Sequence, residues 1–136
     1  MALRKTLFCY YKKAAFDATE YLIQLGHRRI CFVTQEFSKV KSRKDRFLGY
    51  CAALKAHGLQ FDESLVQYWH REEGFISSPL ALLDQENAPT AYFTQHLAIT
   101  SDLLKQLNQT DLKIGENISL IGFEDLPMVE FFKTPI

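Results

Sequence analysis

The sequence predicts an α/β domain, doubly wound about a mainly parallel sheet with helices on both faces. Short apolar runs, "ICFVT" at 30–34, "SLVQYW" at 64–69, "TAYFT" at 90–94 and "ISLIGF" at 118–123, alternate with stretches of helical periodicity. Runs that are nearly continuously apolar suit strands covered on both faces, and a strand-helix alternation implies right-handed crossovers between parallel strands. Glycines stand where helices should stop, at Gly26 and Gly58, and Gly115 marks the turn into the last run. At 136 residues the chain fits a single domain. A chain of that size buries roughly two thirds of the surface it exposes when unfolded, enough for a core without staples.

Taken in order, residues 14–25 place Ala15, Ala18, Leu22 and Leu25 on one helical face, and Gly26 follows where a left-handed cap is wanted. His27, Arg28 and Arg29 come next, where cations complement the open carbonyls of a helix end. Phe47, Cys51 and Leu54 set the stripe of a second helix over about 43–57, closed by Gly58. Ile76, Leu80 and Leu83 give 72–85 a helical spacing, but Pro79 lies inside it. Either a helix kinks there, or it begins with Ser78 as N-cap and Pro79 in the first turn. A last helix carries Leu97, Leu104 and Leu107, and Gly115 turns the chain into the fourth strand. Repeats, low-complexity stretches and linkers are absent from the pattern.

Lys and Arg together number 16, as do Asp and Glu, so no global field points to nucleic acid or an anionic membrane. Hydrophobic residues at 47% and charged residues at 24% are ordinary for a soluble globular chain, and no run is long enough to span a bilayer. Cys9, Cys31 and Cys51 lack metal-ligand spacing and are expected to be structural thiols, as in a reducing cytoplasm. The opening "MALRKTLFCYYKK" is too short in apolar residues for a secretory signal.

An open parallel sheet binds ligands beyond the carboxyl ends of its strands. That rule selects the loops 35–46, 69–74, 95–97 and 123–127, with Arg46, Trp69, His96, Glu124 and Asp125 as rim residues. Such a mixture suits a polyhydroxyl ligand with an apolar ring face. No phosphate-binding glycine loop, paired metal ligands or Gly-x-Ser-x-Gly elbow occurs, so neither a catalytic group nor a cofactor or metal is expected.

"ATEYLIQLGHRRICFVT", "SRKDRFLGYCAAL", "PTAYFT" and "ENISLIGFEDLP" together resemble the C-terminal lobe of the effector-binding module of the LacI/GalR transcription regulators, from about residue 10 onward. The resemblance implies a non-enzymatic sensing lobe that closes with a second lobe on a sugar or related small molecule. It also implies a homodimer whose operator DNA is read by an N-terminal helix-turn-helix region. That region and the first lobe are not represented in residues 1–136, where the family chain would cross back to the first lobe after Pro135. Arg46 corresponds to the family's hydroxyl-bonding arginine, Trp69 to an aromatic that faces the sugar in some members, and Glu124 to the usual ligand-contacting acid. Asp125 falls at the neighbouring acid.

Several positions depart from the family pattern. His96 and Leu97 replace an Asn-Asp pair, Thr100 and Asp102 replace a small Ala-x-Gly, and the acid before the first helix is missing near Tyr10. Lys39, Lys41, Arg43, Lys44 and Arg46 crowd the start of the second helix, where the dipole disfavours positive charge. They form either a solvated loop balanced by Glu36 and Asp45, or an anion site in which Lys41, Arg43 and Lys44 help hold a sugar phosphate. Two other uses of the same lobe are a periplasmic-type sugar-binding protein and a dimerisation module without ligand.

Overall fold

The computed structural model describes residues 2–123 and 129–130. One sheet runs in the order β2-β1-β3-β4-β5, made of β1 (Ile30–Thr34), β2 (Val66–Tyr68), β3 (Ala91–Thr94), β4 (Ser119–Gly122) and β5 (Val129–Glu130). The first four strands are parallel, with Phe32 level with Val66 and Phe93, and Phe93 level with Ile121. Only β5 is antiparallel, against β4. The expected class therefore holds, with an antiparallel strand appended to a parallel sheet.

Because successive strand residues point to opposite faces, the sheet supports two cores. On one face Ile30, Phe32, Phe93, Ile121 and Phe123 pack with Ala15, Ala18 and Leu22 of α1 (Ala2–Gln24) and Tyr50, Ala53 and Leu54 of α2 (Lys41–Ala56). On the other, Cys31, Val33, Tyr92 and Leu120 meet Ile99, Leu103 and Leu107 of α3 (Leu97–Leu107) and Leu82 of a 3-10 turn over Pro79–Asp84. The buried Tyr50 hydroxyl donates to the Ile30 carbonyl at 2.7 Å, and that of Tyr92 to the Pro79 carbonyl at 2.8 Å, so both aromatic side chains enter the core with their polar atoms satisfied.

The helix ends follow the glycine signals. Gly26 has φ +107°, and its two flanking bonds, Gly26 N–H to the Ile23 carbonyl at 2.9 Å and His27 N–H to the Leu22 carbonyl at 3.1 Å, close α1. Left-handed backbone at this point costs a glycine nothing, and the last carbonyls of α1 are satisfied by it. A matching pair closes α2, where Gly58 N–H donates to Lys55 O at 3.1 Å and Leu59 N–H to Leu54 O at 2.8 Å. Gly49 serves close approach instead. A Cβ built there would fall on the Lys12 carbonyl oxygen and lie 3.0 Å from both the Ala15 Cβ and the Phe16 nitrogen.

Three local expectations are corrected, and one choice the sequence left open is decided. The first helix begins at Ala2 rather than near residue 14. The second apolar run is split, since Asp62 accepts from Ser64 N–H and caps a 3-10 turn at Glu63–Leu65 before β2 begins. Residues 72–78 are not helical: Ser78 caps a turn that starts at Pro79, accepting from Leu80 N–H at 3.2 Å, and Ile76 is exposed. The proline ring and its missing N–H select this second alternative.

His27 and Arg29 bridge segments that lead into the strands instead of complementing the carbonyls of α1. His27 bonds the Thr90 hydroxyl at 2.7 Å and that of Ser119 at 2.9 Å. Arg29 donates to Asn87 O at 2.6 Å and to Asp62 at 2.8 Å. The two bonds of Gly26 and His27 already use the open carbonyls, which leaves these side chains available for the sheet edge.

Candidate functional site

The strand order places a switch point between β1 and β3, neighbours whose following helices leave to opposite faces. Such a point opens a crevice beyond the strand ends, because the two connections diverge. Arg46, on the second turn of α2, spans it and donates from Nη1 to the Gln95 carbonyl, just past β3, at 3.0 Å. Its guanidinium lies 4.8 Å from the Phe123 ring centre and 5.8 Å from that of Tyr11, which itself packs edge-on against Tyr10. Only 8% of Arg46 is exposed. Two aromatic rings thus hold a desolvated cation, a contact that favours a planar guanidinium over an ammonium.

His96 is exposed beside this pair and serves as N-cap of α3, its Nδ1 accepting from Ala98 N–H at 3.1 Å. With Nδ1 used as an acceptor, Nε2 is the donor of the neutral ring. His96 thus supplies the capping acceptor of α3 while the rest of its ring faces solvent. Leu97, in place of an acid, is 52% exposed. Gln95, not singled out by the sequence, is 2% exposed, and its side-chain oxygen has no hydrogen-bond partner among the described residues. A polar residue directly after an apolar strand was the available signal.

Trp69 lies elsewhere. Its backbone N–H continues the sheet to Thr34 O at 2.8 Å, but the side chain drops into the α3-side core and is 5% exposed. The indole N–H donates to Asp102 of α3 at 2.7 Å. Arg46 and Trp69 consequently occupy opposite faces of the sheet and do not form one rim patch. Glu124 and Asp125 lie outside the described residues, as does Pro135.

At the start of α2, Lys41 and Lys44 are exposed and Arg43 donates to the Glu36 carbonyl at 3.0 Å. The Glu36 carboxylate turns into its own loop, accepting from Ser38 N–H at 2.6 Å and the Ser38 hydroxyl at 3.0 Å. Those bonds to Ser38 hold its carboxyl below the usual range. Asp45 is buried. Val40 at the N-cap position offers no side-chain cap and no acid occupies the first turn of α2, so the positive dipole end and the basic run coincide.

Burial raises the thiol of Cys31 strongly and that of Cys51 to about 11, leaving both protonated and unreactive at neutral pH. Among the described residues no cluster of His, Cys, Asp or Glu could hold a metal ion, and no helix is long and apolar enough to cross a membrane.

Residues 19–136 match the family described as periplasmic binding protein-like domain. The chain belongs to that family. Its relatives place it with the LacI/GalR regulators: it is 32% identical over 120 residues to the ribose operon repressor of Escherichia coli K12, and 33% identical over 128 residues to the transcriptional repressor CytR of the same organism. These alignments cover 88% and 90% of this chain but 36% of each repressor, so the chain spans about a third of the relatives it matches. A LacI-family regulatory protein from Chloroflexus aggregans superposes with a TM-score of 0.71 at 27% identity, covering 86% of this chain and 42% of that one. A sugar-binding LacI-family regulator from Escherichia coli, crystallised with phosphate, gives 0.68 at 27% identity over 85% of this chain and 42% of its own. The described geometry is thus that of a periplasmic binding protein-like domain, similar to part of these LacI-family regulators.

Proposed function

We propose that the chain is the C-terminal, effector-sensing lobe of a cytoplasmic LacI/GalR-type regulator, binding a sugar or sugar phosphate at the β1–β3 crevice without catalysing a reaction. The observation that carries this is Arg46, fixed across the switch point by the Gln95 carbonyl and two rings, with His96, the N-cap of α3, beside it. Glu124 and Asp125 complete the set on the strength of the family resemblance. In the longer protein a second lobe closes over the effector. Closure shifts the population of lobe orientations, and through a homodimer alters how a DNA-reading segment meets its operator.

The uncapped, basic start of α2 favours an anionic effector, since helix N–H groups and Arg side chains both select phosphate. A crystallised relative carries phosphate, which is compatible with such a preference. Amide NMR titration with D-ribose and D-ribose 5-phosphate tests both statements. Shifts clustered at residues 35–46 and 95–97, stronger with the phosphate and lost in Arg46→Met, are expected. Equal responses to the two ligands would remove the anionic preference, and shifts scattered away from those loops would remove the site.

A further inference from the structure

We propose that Asp102 is a positioning residue that withdraws Trp69 from the effector rim, so that this lobe selects against ligands held by stacking on an apolar sugar face. The inference rests on the effector site proposed above. The Asp102 carboxylate receives the Trp69 indole N–H at 2.7 Å. The Trp69 backbone lies at the carboxyl end of β2, level with the rim, as its bond to Thr34 shows. Its side chain reaches back to the second turn of α3 and is almost wholly buried. A buried indole N–H without an acceptor is costly, because it leaves water and gains nothing. Asp102 is the acceptor here, and with packing in the α3-side core it holds the ring inside.

The turn after Trp69 is built to the same arrangement. His70 and Gly74 exchange backbone bonds, His70 N–H to Gly74 O at 2.9 Å and Gly74 N–H to His70 O at 2.7 Å, which folds 70–74 back on itself. Gly74 takes φ +69°, and a Cβ there would lie 3.7 Å from the same Asp102 oxygen, so the turn borders the carboxylate. Asp102 thus joins the indole to α3 with the turn beside it. With Trp69 held there, the described rim offers Arg46 and His96 but no indole face.

Trp69 is the only tryptophan in the chain, so its fluorescence reports this arrangement directly. Acrylamide quenching and emission wavelength are compared for the native chain, Asp102→Ala and Asp102→Asn, with far-UV circular dichroism confirming the fold. Removing the charge-assisted bond is expected to shift the balance between withdrawn and released indole roughly tenfold in Asp102→Ala, giving stronger quenching and a red shift. Asp102→Asn, which keeps an acceptor oxygen, stays near the native values. Unchanged quenching in the alanine variant, or an asparagine variant as exposed as the alanine one, overturns the positioning role. Hydrogen exchange of the Trp69 indole N–H in the native chain tests the same point without a variant, and rapid exchange overturns it. Methyl β-D-galactopyranoside then probes selection: it should perturb Trp69 fluorescence in Asp102→Ala and not in the native chain, and silence in both overturns the selectivity. The quenching and exchange measurements use no ligand, so they stand apart from the Arg46 titration on which the effector site depends.

Discussion

Gly49→Ala is expected to destabilise the domain even though it places a better helix former in the middle of α2. Intrinsic propensity alone would favour alanine by about 1 kcal/mol. The added methyl, however, would land on the Lys12 carbonyl oxygen and press on Ala15 and the Phe16 nitrogen at 3.0 Å. Two of those three atoms are backbone, so no rotamer change relieves the overlap and α1 must move as a body. Overpacking of this kind costs typically about 1–3 kcal/mol, and rigid backbone neighbours put the site at the upper end. Subtracting the propensity gain leaves a net loss of about 2 kcal/mol, which lowers Tm by roughly 6–10 °C in a domain of this size. Urea unfolding followed by far-UV circular dichroism, with thermal melts alongside, measures it. Displacement of α1 also carries Tyr11 away from Arg46, so ligand-induced shifts at 95–97 should weaken in the same variant. A variant as stable as the native chain, or more stable, would refute the close helix contact.

Gly26→Ala meets no atom within 4 Å, yet φ +107° makes an L side chain strained there, and a loss of about 1 kcal/mol in urea unfolding is expected from conformation alone. Tyr50→Phe keeps the ring but leaves the buried Ile30 carbonyl without its side-chain donor, for a loss of roughly 1–2 kcal/mol by the same assay. His27 is expected to make stability depend on pH. Burial lowers its pKa in the fold, so below its ordinary value of 6.5 the unfolded chain binds more protons than the folded one. Its contribution is therefore complete above that value and declines as pH falls toward the lowered folded value. Unfolding free energies measured between about pH 5 and 7 should show a smaller slope in His27→Gln than in the native chain, and equal slopes would exclude the effect.

The strands were legible because each is a short apolar run between turn signals, and burial on both faces needs nothing more than that. Helix ends were legible where Gly26 and Gly58 supply a left-handed residue. The 72–85 stretch was harder, since Ile76, Leu80 and Leu83 keep helical spacing while the backbone obeys Pro79 and begins its turn only there. Loop position alone placed Arg46 and His96 at the strand ends, and both lie beside the switch point. Gln95, Tyr11 and Phe123 were not found, because packing against Arg46 joins three elements that are distant in sequence.

By itself the sequence determined the order of elements, the two-faced sheet and, through its linked motifs, membership of the regulator family. Periodicity, capping and turn chemistry act over a few residues, so these can be read along the chain. Tertiary structure alone decided that Gly49 admits the backbone of α1, that His27 ties β3 and β4 instead of ending a helix, and that Trp69 turns from the rim to Asp102. Each depends on which residue of a remote element stands opposite, and that is set only when two helices and a twisted sheet close on one another.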